Sequence, residues 1–234
     1  VYNSSVETKA MEHPLYLGEV SDIEYLSKQQ RLTFKRSGIA DPTCIESYQH
    51  QEGFSGLAKA LTMTGQDIVD ELKNSGLRGR GGAAFPAGIK WQTVLDTPGE
   101  QKYIVCNADE GDSGTFADRL LMESDPYQLI EGMTIAGLAV GANQGYIYLR
   151  SEYPVAHKIL NLTIERATKA GFLGANVCDS GKDFFLEVRL GAGAYICGEE
   201  TSLLESLEGK RGMVRAKPPL PAIEGLFGKP TVVN

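Results

Sequence analysis

The sequence predicts an α/β fold: a layered sheet with helices on both faces and glycine-rich loops, Rossmann-like in form. Three apolar segments of strand length, 103–107, 145–149 and 184–190, alternate with segments whose apolar residues recur at helical spacing. This alternation is typical of a largely parallel sheet with right-handed crossovers. Residues 1–55 lack such periodicity, so we expect an irregular, extended lead-in before one α/β domain of residues 56–234.

The first clear helix of that domain has a signal at each end. Thr64 followed by Asp67 has the form of a capping box, in which a hydroxyl and an acid three residues later satisfy each other's backbone N–H groups. Ile68 and Val69 then begin an apolar stripe, and Gly76 suits the left-handed residue that ends a helix. The glycine-rich segment that follows is therefore expected to leave a helix.

Similar signals place the other helices. Pro86 suits the first position of a helix, because its missing N–H has no partner there in any case. Residues 124–126 (Ser-Asp-Pro) predict a second start, and a third helix is expected from Ser151 to Gly171. A last helix follows the strand at 184–190 and is expected to end near Gly209.

Composition excludes several classes of protein. The net charge of −7 argues against nucleic acid as a partner. The sequence contains no run of about 18 apolar residues, so insertion into a membrane is not predicted. The first five residues lack the character of a signal peptide, so we expect a cytoplasmic protein. The cysteines are too widely spaced for a zinc or iron–sulfur motif, and no metal site is predicted; they are Cys44, Cys106, Cys178 and Cys197.

The glycine-rich segment 76–91 predicts a loop that holds a phosphorylated cofactor. Glycines let backbone N–H groups approach a phosphate, Arg80 and Lys90 supply positive charge, and Phe85 offers a flat apolar surface. The alternative is a surface turn with solvated arginines. Residues 79–84 also fit the dinucleotide fingerprint as a string, but a helix enters this loop where the fingerprint needs a strand. An ordinary Rossmann dinucleotide site is therefore excluded here.

A polar turn follows the strand at 103–107. Asn107, Asp109, Glu110 and Asp112 lie where open α/β sheets place ligand groups, at the carboxyl end of a strand. Their oxygens could accept hydrogen bonds from ribityl or ribose hydroxyls and from ring N–H groups. The alternative is a solvated acidic turn, and the spacing does not match an EF-hand.

A second glycine-rich loop, 191–201, has the strand–loop–helix context that the first one lacks. Gly193 to Gly198 has the spacing of a P-loop, but Glu199 stands in place of the phosphate-binding lysine, which argues against a nucleotide triphosphatase. Glu199 and Glu200 suit hydroxyls, an amide or a flavin ring edge; alternatively they are charges at a helix N-terminus. The basic segment 210–221 that follows could lie across the cofactor and meet a second anionic ligand.

Three motifs together resemble one family. Residues 79–91, 107–119 and 193–201 are similar to the FMN-binding, NADH-oxidising subunit of respiratory complex I (51 kDa type) and its soluble relatives, and the resemblance covers about 30–234. It implies a Rossmann-like FMN-binding domain.

Other segments narrow the resemblance. Residues 110–119, 146–154 and 217–230 look most like the diaphorase (beta) subunit of cytoplasmic NAD-dependent molybdenum or tungsten formate dehydrogenases, with the diaphorase of NAD-reducing hydrogenase as the near rival.

The resemblance also implies a site for each cofactor. It implies no catalytic acid or base, since the flavin carries the chemistry, and it makes Glu199 a modulator of the flavin's potential. The residues implied for FMN are Gly79, Arg80, Gly81, Lys90, Asn107, Asp109, Glu110, Tyr195, Gly198, Glu199, Glu200 and Asn234. Those implied for NADH are Phe85, Lys90, Asp112, Glu200 and Lys217.

The implied activity is hydride transfer between NAD(H) and FMN, with electrons exchanged singly with iron–sulfur clusters, so that formate oxidation is coupled to NAD+ reduction. The expected partner is an iron–sulfur and molybdenum or tungsten subunit; the alternatives are hydrogenase and NADH:quinone oxidoreductase. Family members continue after Asn234 into a region with cysteines for a [4Fe–4S] cluster, so we expect a fragment. Ala84 and Ala87 depart from the usual Gly and Thr, which leaves open a flavin-less assembly module. Leu220 departs from the usual Phe, so the resemblance does not imply adenine stacking at that position.

Overall fold

The computed structural model describes residues 14, 16–19 and 21–234. Its contacts divide the chain into two compact units, Val1–Lys35 and Arg36–Asn234. The first contains a short helix, α1 (Glu24–Ser27). The predicted lead-in boundary at residue 55 lies inside the second unit, and residues 1–13, 15 and 20 of that lead-in lie outside the described part of the chain.

The second unit is built from alternating helices and strands. Its helices are α2 (Ile45–His50), α3 (Ser55–Leu61), α4 (Gly65–Ser75), α5 (Ala87–Asp96), α6 (Ala117–Ser124), α7 (Pro126–Val140), α8 (Pro154–Lys169) and α9 (Glu200–Leu207). Its strands are β1 (Tyr103–Ala108), β2 (Gln144–Leu149), β3 (Phe185–Leu190) and β4 (Thr231–Val233). Short 3₁₀ turns occupy Val177–Asp179, Tyr195–Gly198 and Leu226–Gly228.

The four strands form one parallel sheet in the order β3-β2-β1-β4. This confirms the predicted α/β layered fold and the strands predicted at 103–107, 145–149 and 184–190, each within one residue at either end. Strand β4 was not predicted, because its three residues after Pro230 are too few to show a pattern. It pairs with β1, and Asn234 prolongs the ladder by donating its backbone N–H to the carbonyl of Val105.

Helices cover both faces of the sheet, as predicted. Alternate residues of β1 point to opposite faces: Ile104 joins the larger apolar core, while Val105 joins the smaller one. Helices α7 and α8 contribute Ile130 and Leu160 to the larger core, and α9 contributes Leu203 to the smaller one.

The helix signals in the sequence are mostly reproduced. Thr64 and Asp67 form the predicted capping box, and Gly76 ends α4 with a φ of 67° in the left-handed region. Pro86 is the residue that precedes α5, one position earlier than predicted. The start predicted at Ser151 is wrong: α8 begins at Pro154, because the Ser151 hydroxyl bonds the neighbouring Glu152 carboxylate and caps no helix N–H.

Two glycines of α7 provide a matched test of packing. A Cβ added to Gly137 would lie 2.5 Å from the Phe184 ring, whereas one added to Gly132 would meet nothing within 4 Å. We expect Gly137→Ala to lower the free energy of unfolding by about 1–3 kcal/mol through overpacking. Gly132→Ala should raise it by about 0.5–1 kcal/mol, because alanine loses less backbone freedom on entering a helix. Urea unfolding midpoints would show both, and equal shifts of one sign would contradict the packing at Phe184.

None of the described helices is both long enough and apolar enough to cross a membrane.

Candidate functional site

A cavity of about 580 Å³ opens at the carboxyl end of β1. It lies between the first glycine-rich loop, the polar turn after β1, helix α6 and the 3₁₀ turn Tyr195–Gly198. The predicted site residues that line it are Arg80, Gly81, Asn107, Asp109, Glu110, Asp112, Tyr195, Gly198 and Glu199. Segments far apart in sequence therefore meet where the sequence placed ligand groups.

Asp109 carries a buried acceptor that lacks a protein donor. Its Oδ2 atom is buried and has no hydrogen-bond partner among the described residues. Burial raises the pKa of Asp109, the positive charge of Arg150 partly offsets that effect, and the Glu152 carboxylate adds to it. The oxygen therefore favours a ligand that donates a hydrogen bond.

Asn107 ties the polar turn to two other segments. Its side-chain amide donates to the Gly198 carbonyl at 2.8 Å, and its backbone N–H donates to the Asn234 carbonyl at 2.7 Å. Its Oδ1 atom accepts from the N–H of Asp109 at 3.2 Å. The amide thus fixes the edge of the cavity.

The Glu110 carboxylate is engaged within the protein. It accepts from the N–H groups of Asp118 at 2.9 Å and Arg119 at 3.1 Å, which are among the donors left free at the start of α6. The Tyr153 hydroxyl donates to it at 3.0 Å, and Arg150 donates to the Glu110 carbonyl. Glu110 lines the cavity, yet its side chain caps a helix, so its contact with a cofactor stays a prediction.

Glu199 serves two purposes. Its Oε2 atom accepts from the N–H groups of Thr201 at 2.8 Å and Ser202 at 2.9 Å, so the alternative of a charge at a helix N-terminus describes this oxygen. Its Oε1 atom faces Lys217 Nζ at 3.2 Å, and that ammonium also contacts Glu200 at 2.6 Å. Burial opposes ionisation, but the hydrogen bonds from Thr201 and Ser202 and the contact with Lys217 leave the pKa of Glu199 below its usual value.

Lys90 belongs, with Glu200 and Lys217, to a charged group of side chains beside the cavity. Its ammonium donates to the Val233 carbonyl and so holds β4. Burial lowers the pKa of Lys90, the Glu200 carboxylate acts against that shift, and Lys217 adds to it. The predicted residues that do not line the cavity itself are Gly79, Phe85, Lys90, Glu200, Lys217 and Asn234.

The first glycine-rich loop turns sharply before α5. The N–H of Gly79 donates to the carbonyl of Phe85 at 2.9 Å, and the Phe85 ring is half exposed. Ala84 adopts a φ of 44°, a conformation that glycine reaches without the steric penalty of a Cβ. Helix α4 precedes the loop, which confirms that a strand does not enter it.

The cavity also has an apolar wall that the sequence did not predict. Its side chains come from β1 and from α6 and α7, where sequence periodicity cannot tell a cavity wall from a core position. The side chains of this wall are Cys106, Ala117, Leu121, Met122 and Leu129.

Burial affects two ionisable groups in the lining of the cavity. It raises the pKa of the Cys106 thiol to about 12, which keeps the thiol neutral, and it raises the pKa of Asp118, to which the Glu110 carboxylate adds. Within the described residues, no group of histidine, cysteine and acidic side chains could hold a metal ion.

The comparison with known families decides the identity. The profile of the Nuo51 FMN-binding domain, of the complex I 51 kDa type, matches residues 72–234. The chain belongs to this family. This confirms the resemblance inferred from residues 79–91, 107–119 and 193–201, and it confirms FMN as the expected cofactor.

Two relatives are named as subunits of different enzymes, a hydrogenase and an NADH-quinone oxidoreductase. The chain is 52% identical over 207 residues to the HndC subunit of the NADP-reducing hydrogenase of Solidesulfovibrio fructosivorans, covering 88% of the chain and 42% of the relative. It is 51% identical over 210 residues to an NADH-quinone oxidoreductase subunit of Aquifex aeolicus, covering 90% and 49%. The chain thus spans less than half the length of these two relatives. The NADH in the name of the second relative agrees with the predicted NAD(H).

Solved structures of an NAD+-reducing [NiFe]-hydrogenase share the fold. The H2-reduced state aligns with a TM-score of 0.68 and 42% identity over 74% of this chain and 29% of that chain. The air-oxidised state aligns with a TM-score of 0.71 and 33% identity over 99% and 37%. None of these relatives is a formate dehydrogenase, so that finer assignment rests on the motifs alone.

The cavity fits the FMN of the Nuo51 family. Its volume lies in the range of about 300–1,000 Å³ typical of small-molecule sites. Its lining combines polar groups, among them Asn107, the unpartnered Asp109 oxygen and the Gly81–Gly82 backbone, with the apolar wall. A ligand with a polar phosphorylated chain and an apolar ring system matches this mixed lining.

The raised pKa of Asp109 predicts pH-dependent binding. Below its raised folded pKa this carboxyl holds a proton, and its contribution to folding stability is lost as pH rises through that value. A ligand that donates to Oδ2 favours the ionised form, so FMN affinity should rise as pH rises through the pKa of Asp109. Asp109→Asn should bind FMN more weakly and lose that part of the dependence. FMN titrations at several pH values would test this, and parallel profiles for both proteins would contradict it.

Proposed function

We propose that this chain forms the flavin site of a diaphorase that exchanges hydride between NAD(H) and FMN. The observation that carries the proposal is the buried, unpartnered Asp109 oxygen in the wall of a cavity between two glycine-rich loops. An acceptor of this kind is costly to leave unpaired, and a hydroxyl or ring N–H of the cofactor would satisfy it.

In this proposal, the chain's own residues bind the cofactor and orient it. At the polar part of the cofactor, Asp109 would accept a hydrogen bond and Asn107 would donate one. The Gly81–Gly82 backbone, with Arg80, would face its phosphate. When bound, FMN supplies two-electron exchange with nicotinamide and one-electron exchange with iron–sulfur centres. The apolar wall would exclude water from one side of the ring system.

The nicotinamide nucleotide would approach from the side of the charged group. Lys90, Glu200 and Lys217 lie together there, and the half-exposed Phe85 ring offers a surface for stacking. Glu199, fixed by the helix end and by Lys217, would keep a negative charge beside the flavin and lower its reduction potential.

Two measurements test the proposal. The purified chain should quench FMN fluorescence on binding, and the bound flavin's visible absorbance should bleach when NADH is added without oxygen. FMN binding without bleaching would support the cofactor site but contradict the diaphorase activity. Absence of FMN binding would favour the flavin-less assembly module suggested by Ala84 and Ala87.

The electron partner is a separate part of the proposal. The similarity of residues 110–119, 146–154 and 217–230 to formate dehydrogenase diaphorases supports an iron–sulfur and molybdenum or tungsten subunit in the cytoplasm. The names of the relatives support a hydrogenase or an NADH-quinone oxidoreductase as the second candidate. Isolation of the intact complex followed by metal analysis would separate them: molybdenum or tungsten favours formate oxidation, and nickel favours hydrogenase.

A further inference from the structure

One hydrogen bond joins two loops at the mouth of the cavity. The Tyr195 hydroxyl donates to Asp112 Oδ1 at 2.7 Å, across 83 positions of sequence. Both residues line the cavity, and both are exposed, Tyr195 to 72%. The bond therefore bridges the 3₁₀ turn Tyr195–Gly198 and the polar turn after β1 on the side that faces solvent.

The Tyr195 ring also lies directly on the backbone of the polar turn. A Cβ added to Gly111 would lie 2.8 Å from Cδ2 of that ring, so a larger residue at this position would push the ring aside. The backbone of the 3₁₀ turn is anchored, because the Gly198 carbonyl accepts from the Asn107 amide. Opening the bridge therefore needs only rotation of the Tyr195 side chain.

Asp112 is the one residue implied for NADH that lines the cavity. Its carboxylate accepts from the Tyr195 hydroxyl, while its carbonyl accepts from the N–H of Thr115 at 3.2 Å. A nucleotide hydroxyl or amide that approaches this carboxylate meets the tyrosine hydroxyl bonded to its Oδ1 atom and the ring that lies on Gly111.

We infer that Tyr195 is a competitive strap, which occupies the Asp112 carboxylate and is displaced when NAD(H) binds. The inference rests on the proposed function and adds a control on nucleotide entry to it. The two partners of one hydrogen bond then have opposite effects on NAD(H) affinity: the carboxylate promotes binding and the hydroxyl opposes it. If Tyr195 instead served as a direct ligand or a purely structural contact, loss of its hydroxyl would not strengthen binding.

The size of the effect follows from the exposure of the bond. A neutral hydroxyl bonded to an exposed carboxylate contributes modestly, since water competes for both groups. Tyr195→Phe keeps the ring on Gly111 and removes only the hydroxyl, so we expect NADH to bind about threefold to tenfold more tightly. Asp112→Asn should weaken NADH binding by a similar or larger factor.

The test measures the Kd for NADH on the FMN-loaded chain by quenching of protein fluorescence. Tyr25→Phe, at an exposed tyrosine of the lead-in, is the matched control and should leave the Kd unchanged. In an Asp112→Ala background, Tyr195→Phe should lose its effect, because the competing oxygen is gone.

The outcomes separate the inference from the proposed function. Tighter binding by Tyr195→Phe that vanishes in the Asp112→Ala background supports the strap. Equal or weaker binding by Tyr195→Phe, with wild-type binding of FMN and NADH intact, overturns the strap alone. A wild-type chain that binds FMN but not NADH overturns both the strap and the proposed diaphorase activity.

Discussion

Replacing Glu131 by alanine is expected to lower the free energy of unfolding by about 3–5 kcal/mol. This carboxylate is buried in α7 and accepts from the N–H groups of Phe54 at 2.9 Å and Leu57 at 2.8 Å, at the start of α3. The Tyr48 hydroxyl donates to it at 2.5 Å. Alanine would leave these three buried donors without an acceptor, and chemical unfolding followed by circular dichroism would measure the loss.

Glu71→Ala is the matched control for this substitution. Glu71 lies on α4 and pairs with Lys59 at 2.6 Å, but both side chains are exposed. Exposed ion pairs contribute about 0–1 kcal/mol, so its removal should change the unfolding free energy little. A Glu131→Ala protein as stable as the Glu71→Ala protein would show that water replaces the buried acceptor.

Replacing Lys90 by methionine is expected to weaken FMN binding by about tenfold to a hundredfold. Methionine keeps the buried stem but removes the ammonium that donates to the Val233 carbonyl. Hydrogen bonds from charged groups contribute about 1.5–3 kcal/mol, which corresponds to this loss of affinity if the bond holds the site in its binding form. The loss should extend to NADH, because the charged group around Glu200 changes too.

Fluorescence titration with FMN would measure the Lys90→Met effect, with Lys158→Met as the control. Lys158 is an exposed lysine of α8 and does not line the cavity, so its replacement tests the loss of a positive charge alone. Full retention of FMN and NADH binding by Lys90→Met would overturn the assignment of Lys90 to the site.

Local signals in the sequence predicted local structure. The capping box of Thr64 and Asp67 and the stop at Gly76 act within one helix, so they could be read directly. Helix α6 has no such signal: its first N–H groups bond to Glu110, which lies seven residues before the helix begins. A short helix capped from a distance was therefore missed.

The candidate site was predicted as a set of residue types, and the pairings within it were not. Three motifs placed Asn107, Asp109 and Gly198 around one cavity. The bond from Lys90 to Val233 spans 143 positions, and only the folded sheet brings the two together. Likewise, the sequence left Glu199 as either a ligand group or a helix charge, while in the structure one oxygen accepts from the helix N-terminus and the other faces Lys217.

The position of β4 also affects how the protein is made. The N–H of Asn107, at the edge of the cavity, donates to the carbonyl of Asn234, which directly follows β4 on its pairing with β1. At about 5–20 residues per second, a ribosome needs roughly 6–25 s to proceed from Ala108 to Asn234. During that interval the nascent chain has both glycine-rich loops for part of the time but lacks β4, the strand that pairs with β1. Flavin incorporation is therefore expected to follow synthesis of residue 234, and a chain terminated before Thr231 should emerge without its cofactor.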